Sequence, residues 1–151
     1  MPKKILIVDD EINLLELLRV NLESAGFSVI TAQDGEEGLK KTLDENPDLA
    51  ILDMRLPDID GCDFCHKIKN DPRTKHIPVI FLTAATQKED IKKTIGAGGD
   101  LFLPKPFDPL KLVEMTEKIL IPEGSNVNSK YKILVIDDDI SIVELLEVNL
   151  R

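Results

Sequence analysis

Cysteine, long apolar runs and positive charge are all scarce in this sequence. The two cysteines, Cys62 and Cys65, are separated by two residues, and a bridge between them would close almost no loop, so a disulfide scaffold is excluded. No apolar run approaches the roughly 20 residues of a membrane-spanning helix. After Met-Pro-Lys-Lys come only four apolar residues, Ile5 to Val8, before two aspartates, too few for the core of a signal peptide. A cytoplasmic protein without a membrane partner is therefore expected. Aromatic residues are few, and tryptophan is absent. Lysine and arginine number 19 against 28 acidic residues, for a formal charge of −9. Such a surface repels a polyanion, which argues against direct contact with nucleic acid or anionic lipid.

What is present suits a soluble globular chain, with 42% hydrophobic and 31% charged residues. Its 151 residues suffice for one domain with its own core and a remnant, not comfortably two. Ile5 to Val8 is a continuous apolar run, as in a strand covered on both faces, and Leu14, Leu15, Leu18 and Leu22 recur at helical spacing up to Gly26. A strand over Phe27 to Ala32 follows. Asp34 with Glu37 three residues later opens a helix to about Glu45, before Pro47. Strands at Leu49 to Leu52, Val79 to Leu82 and Leu101 to Leu103 alternate with helices at about Cys62 to Lys69, Gln87 to Ile95 and Pro109 to Leu120. Five strand-helix units predict an α/β, doubly wound fold with a five-stranded parallel sheet, and such sheets bind ligands at the carboxyl ends of their strands.

The residues at those ends are Asp9, Asp10 and Glu11 after the first strand, Asp53 after the third, Thr83 after the fourth and Lys105 after the fifth. Two carboxylates 4 Å apart repel by about 4 kcal/mol at an effective dielectric near 20, so a cation must compensate. A divalent ion preferring oxygen ligands, Mg²⁺ above others, suits a cluster without histidine or cysteine; Lys105 adds a second positive charge. Acidic residues after strands are also ordinary helix caps, and Asp10 or Glu11 alone could simply open the next helix. Independent capping does not account for the ordered set.

The run Asp53-Met54-Arg55-Leu56-Pro57-Asp58-Ile59-Asp60-Gly61, with Asp9-Asp10 before it and Thr83-Ala84 and Lys105-Pro106-Phe107 after it, resembles the receiver domain of response regulators in two-component signalling, over about Lys3 to Ile121. The resemblance implies the flavodoxin-like (βα)5 fold and a role for each matching position. Asp53 matches the phosphoacceptor. Asp10 matches a direct Mg²⁺ ligand, Asp9 one acting largely through water, and the main-chain carbonyl of Arg55 another ligand. Thr83, the backbone N–H of Ala84 and Lys105 match the groups that bind the phosphoryl oxygens, and Phe102 the aromatic that turns inward on activation. The side chain of Arg55 at the pocket mouth is expected to affect the lifetime of the phosphoryl group. A histidine kinase or phosphotransfer protein is the implied donor, and an output domain or partner protein the implied reader. The chain would then be a phosphoacceptor that assists its own phosphorylation and dephosphorylation, not an enzyme with a separate substrate. Two other readings use the same residues. An unphosphorylated interaction adaptor would be expected to have lost one of them, and none is lost. A phosphatase with an aspartate nucleophile would carry Asp-x-Asp after the first strand, where this chain has Asp9-Asp10-Glu11.

Cys62-Asp63-Phe64-Cys65-His66 has the form of a haem attachment motif. Its place in a helix, without an export signal, favours two helix residues packed inward and a surface histidine. Zinc would need about four ligands, and only His76 offers another nitrogen. Gly98-Gly99-Asp100 is too short a match to a diguanylate cyclase signature to carry meaning.

After Ile121, residues 122–130 have the composition of a linker. Lys132 to Asp139 then repeats Lys4 to Glu11, and the likeness continues in Glu144-Leu145-Leu146 and Val148-Asn149-Leu150. The expected division is a receiver at 1–121, a linker at 122–130, and at 131–151 the first strand and helix of a second receiver, which has Asp137 and Asp138 but no counterpart of Asp53, Thr83 or Lys105. One strand and one helix cannot bury a core. This remnant must find cover on the first domain or on a second copy of the chain, a homodimer by swapping being one arrangement.

Overall fold

The structure is a computed structural model and describes residues 2–83, 92, 95–121 and 134–135. In chain order it contains β1 (Lys4–Val8), α1 (Ile12–Ser24), β2 (Ser28–Ala32), α2 (Gly35–Glu45), β3 (Leu49–Asp53), α3 (Gly61–Lys69), β4 (Val79–Thr83), β5 (Leu101–Pro104), α4 (Pro109–Leu120) and β6 (Leu134–Val135). The helix expected over Gln87 to Ile95 lies largely outside the described residues, as do Ala84 and the helix expected after Asp139.

The strands form one sheet in the order β2-β1-β3-β4-β5-β6, with every pairing parallel. Five of them are the expected sheet. The sixth, two residues of the repeated segment, adds to the outer edge of β5, with Leu101 opposite Leu134 and Phe102 opposite Val135. The chain steps from β1 outward to β2, then crosses to the other side of β1 for β3. The order therefore reverses between β1 and β3, whose carboxyl ends carry Asp9 and Asp53.

The continuous apolar strands are explained by two separate cores. Successive side chains point to opposite faces, so Ile5 and Ile7 join Leu15, Leu18 and Leu22 of α1 and Leu112 and Met115 of α4 on one face. Leu6 and Val8 join Phe64, Cys65 and Ile68 of α3 on the other. All four residues of Ile5 to Val8 are fully buried, and each such side chain contributes about 1.5–3 kcal/mol relative to exposure.

The helix boundaries follow from local chemistry. The Asp34 side chain accepts the Glu37 N–H at 2.8 Å, while Glu37 reaches back to the Gln33 N–H at 2.8 Å. Asp60 and Asp108 cap α3 and α4 in the same way, accepting from Cys62 and Leu110, and Pro109 occupies the first helical turn. Helix α2 ends on Asn46 in the left-handed conformation, φ +46°, just before Pro47. Helix α1 differs, because Glu11 is its N-cap yet makes no side-chain capping bond.

Candidate functional site

The rim of the sheet is built where the parallel strands end together, with Asp53 and Thr83 as the last residues of β3 and β4 and Asp9 and Lys105 directly after β1 and β5. Asp9 follows β1 and is fully buried. One of its oxygens accepts the Glu11 N–H at 2.9 Å, and the other accepts from Lys105 Nζ at 3.0 Å. The same ammonium reaches Asp53 Oδ2 at 3.3 Å and lies 3.8 Å from Glu11. Asp53 Oδ1 accepts the Arg55 N–H at 3.1 Å. Asp10 is exposed, Asp53 half-buried, and one carboxylate oxygen from each of Asp9, Asp10 and Asp53 lies within 4.8 Å of the others. The structure thus brings Asp9, Asp10, Asp53 and Lys105 together from three strands. Glu11, expected at the rim and also as a cap, lies at the exposed margin of this charge cluster.

Burial pushes the Asp9 carboxyl above its ordinary range, and the nearby Asp53 adds to this, against the Glu11 N–H and the Lys105 ammonium. For Lys105, burial pulls downward, but the hydrogen bonds and charges of Asp9 and Asp53 outweigh it and leave the ammonium more firmly protonated than usual. The carboxylates of Asp9, Asp10 and Asp53 with the one ammonium leave two negative charges, which one divalent cation would neutralise, Glu11 lying apart in solvent. Octahedral oxygen coordination at about 2.1 Å separates ligands by roughly 3 to 4.2 Å, so this cluster fits such an ion with small side-chain movements.

Thr83 ends β4, its backbone opposite Pro104 of β5, so the fourth and fifth strands reach the rim at the same level. The peptide bond from Lys105 to Pro106 is cis. Phe102 is buried in the apolar cluster that includes Phe81 and Ala97. Arg55 is exposed and forms an isolated antiparallel bridge with Asp60. The loop between them returns sharply: the Gly61 N–H donates to the Met54 carbonyl at 2.8 Å, and a β-carbon on Gly61 would run into the Asp53 carbonyl oxygen and Met54. Only glycine fits there.

One anchoring residue escaped the sequence reading. The Asp58 carboxylate accepts the Gly35 and Glu36 N–H groups at 2.7 and 2.9 Å, tying the loop after Asp53 to the first turn of α2. These backbone bonds, that from Gly35 foremost, hold its carboxyl below the usual range. The partners are 23 and 22 residues away in sequence, and no local pattern marks them. The cysteine motif is structural, since Cys62 and Cys65 are buried in α3 without a disulfide. Burial pushes the Cys65 thiol up to about 12, and His66 is exposed. Among the described residues, no helix is long and apolar enough to cross a membrane.

Known proteins resemble this chain in sequence and in fold. The model of the response regulator receiver domain matches residues 5–117. The alkaline phosphatase synthesis transcriptional regulatory protein PhoP of Bacillus subtilis is 36% identical over 149 residues, 95% of this chain and 61% of that protein. The phosphate regulon transcriptional regulatory protein PhoB of Pseudomonas aeruginosa is 36% identical over 122 residues, 81% of this chain and 53% of its own. The chain thus spans about half to three fifths of the length of these relatives. Among solved structures, the chemotaxis response regulator CheY4 of Vibrio cholerae superposes with a TM-score of 0.76 at 31% identity, covering 80% of this chain and all of that one. The response regulator DrrB of Thermotoga maritima gives a TM-score of 0.73 at 33% identity, covering 80% of this chain and 53% of its own. With the five-stranded sheet and the acidic rim described, these matches establish that the chain belongs to the response regulator receiver domain family.

Proposed function

We propose that this chain is a Mg²⁺-dependent phosphoacceptor module in which Asp53 receives a phosphoryl group from a histidine kinase or phosphotransfer protein. The observation that carries the reading is the position of Lys105 Nζ, bonded at once to Asp53 Oδ2 and Asp9. That ammonium sits where an oxygen of an incoming phosphoryl group would need a countercharge. Asp53 is a weak nucleophile, so rate must come from alignment and charge neutralisation. One Asp53 oxygen attacks phosphorus as the bond to the donor nitrogen breaks. The Arg55 N–H, bonded to Oδ1, and Lys105, bonded to Oδ2, hold the carboxylate in place for attack.

Asp9, Asp10, Asp53 and the Arg55 carbonyl would hold the ion, which, when bound, neutralises charge on the transferring oxygens. Thr83, the Ala84 N–H and Lys105 would bind those oxygens in the product. An acyl phosphate presents three acceptor oxygens in place of a bare carboxylate. Drawing Thr83 and Lys105 toward them would couple the event to Phe102 and the surface around β4 and β5, which an output domain or partner reads. Exposed apolar side chains Ile12 and Leu17 of α1 border this rim and support a protein as the donor. The chain acts as a signalling domain in the cytoplasm rather than as an enzyme of external turnover. Its division is a receiver at 1–121, a linker at 122–130 and the start of a second receiver at 131–151.

Incubation with a small phosphoryl donor and Mg²⁺, followed by intact-mass measurement, tests the reading. One phosphate on the parent and none on Asp53→Asn is expected. An unmodified parent would favour an interaction adaptor, and rapid cleavage of an external phosphomonoester a hydrolase.

A further inference from the structure

Strand β6 plays no part in the phosphoacceptor site, yet it occupies a defined place in the sheet. The outer edge of β5 is Leu101-Phe102-Leu103, three apolar residues with no charge, bulge or proline before Pro104. A bare edge of this kind invites pairing with another strand. Its hydrogen-bonding groups can be assigned: the Asp100 N–H donates inward to Val79 O at 2.9 Å, so alternation along the strand turns the N–H and C=O groups of Leu101 and Leu103 outward. The register Leu101 to Leu134 and Phe102 to Val135 sets the Val135 N–H against the Leu101 carbonyl and the Leu103 N–H against the Val135 carbonyl.

The occupant suits the edge. Lys132 to Asp139 repeats Lys4 to Glu11, and in its first occurrence this sequence accepts parallel neighbours on both sides, β2 and β3. A strand apolar on both faces needs a sheet, and the β5 edge needs a strand. Among the described residues the pairing involves Leu101 and Phe102 and none of Asp9, Asp10, Asp53 or Lys105.

We propose that the outer edge of β5 is a strand-docking site, filled within the same chain by the repeated segment through Leu134 and Val135, which closes this edge against association with other strands. The test is amide hydrogen exchange by NMR on the full 151-residue chain and its Val135→Pro variant, which lacks the donor to Leu101. The Leu103 amide is expected to exchange about tenfold or more slowly in the parent than in the variant, independent of protein concentration. Amides of Ile5 to Val8 should be equally protected in both, and both should take up phosphate alike. Equal exchange at Leu103 in the two chains overturns the proposal. Protection that disappears on dilution, together with a dimer mass, assigns the strand to a second copy and overturns pairing within the chain. Should the variant lose protection at Ile5 to Val8, a cross-strand NOE between residues 103 and 135 in the parent decides, its absence overturning the proposal.

Discussion

Two segments of this chain begin with nearly the same residues and come to different ends. Lys4 to Val8 is β1, paired on both sides and covered by helices on both faces, with four consecutive side chains wholly removed from solvent. Its copy contributes Leu134 and Val135, paired on one side, at the margin of the sheet. An apolar tetrapeptide therefore specifies a strand but not its depth. Depth comes from the elements that follow: β1 precedes two strands that flank it and the helices α1 and α3 that cover it. The acidic residues invite the same comparison. Asp9 and Asp10 meet Asp53 and Lys105, whereas Asp137 and Asp138 lie outside the described residues.

The widest separation between the copies should appear in phosphoryl transfer. Asp9→Asn with Asp10→Asn is expected to slow Mg²⁺-dependent labelling of Asp53 by about 10²-fold or more, as when preorganised charge is removed from a reacting centre, while Asp137→Asn with Asp138→Asn leaves the rate unchanged. Labelling kinetics by intact mass measure both. Equal losses would mean that the second acidic pair serves the first site.

In stability, Leu6→Ala should cost about 2–5 kcal/mol, as for other buried leucines, whereas Leu134→Ala, its equivalent in the edge strand, should cost less. Urea denaturation of the two variants gives the comparison, and a similar cost at both positions would show that the copy is as deeply packed as the original.

The pH response sharpens the contrast further. Because burial raises the folded-state carboxyl of Asp9 above 3.8, the folded form binds that proton more tightly than the unfolded chain. Its contribution is full below 3.8 and is lost as pH rises through the folded value. In a metal chelator, denaturation midpoints should fall over that interval, Asp9→Asn should flatten the fall, and Asp137→Asn should not. Mg²⁺ should oppose the loss by favouring the ionised form.

The smallest effects concern the helix starts. Asp34→Ala removes a capping bond and should cost about 1 kcal/mol. Glu11→Ala removes none and should leave thermal stability nearly unchanged.

Much of this was legible in the sequence because strands buried on both faces are written as short apolar runs, and because the rim residues follow those runs directly. Asp9, Asp10, Asp53 and Lys105 could be placed on one rim because each stands at or just after the carboxyl end of a strand in one parallel sheet. The hold of Asp58 on α2 could not, since a carboxylate in a loop gives no sign of which distant N–H groups it will meet. Glu11 was considered as a cap, but its neighbour Asp9 takes the Glu11 N–H, and the side chain turns toward Lys105. The repeat was plain in the sequence. Its place beside β5 was not, because an edge becomes available only once the whole sheet is assembled.

The hydrogen bond from Gly61 to Met54 sets a practical boundary for anyone wishing to alter the acidic rim. The loop after Asp53 is closed at its neck, where residue 61 lies against the backbone of Asp53 itself. Substitutions at the exposed Arg55 and Pro57 leave that neck intact. A side chain at 61 would displace Asp53 and the start of α3 together, so variants made to probe the rim should change the former pair and leave the latter position alone.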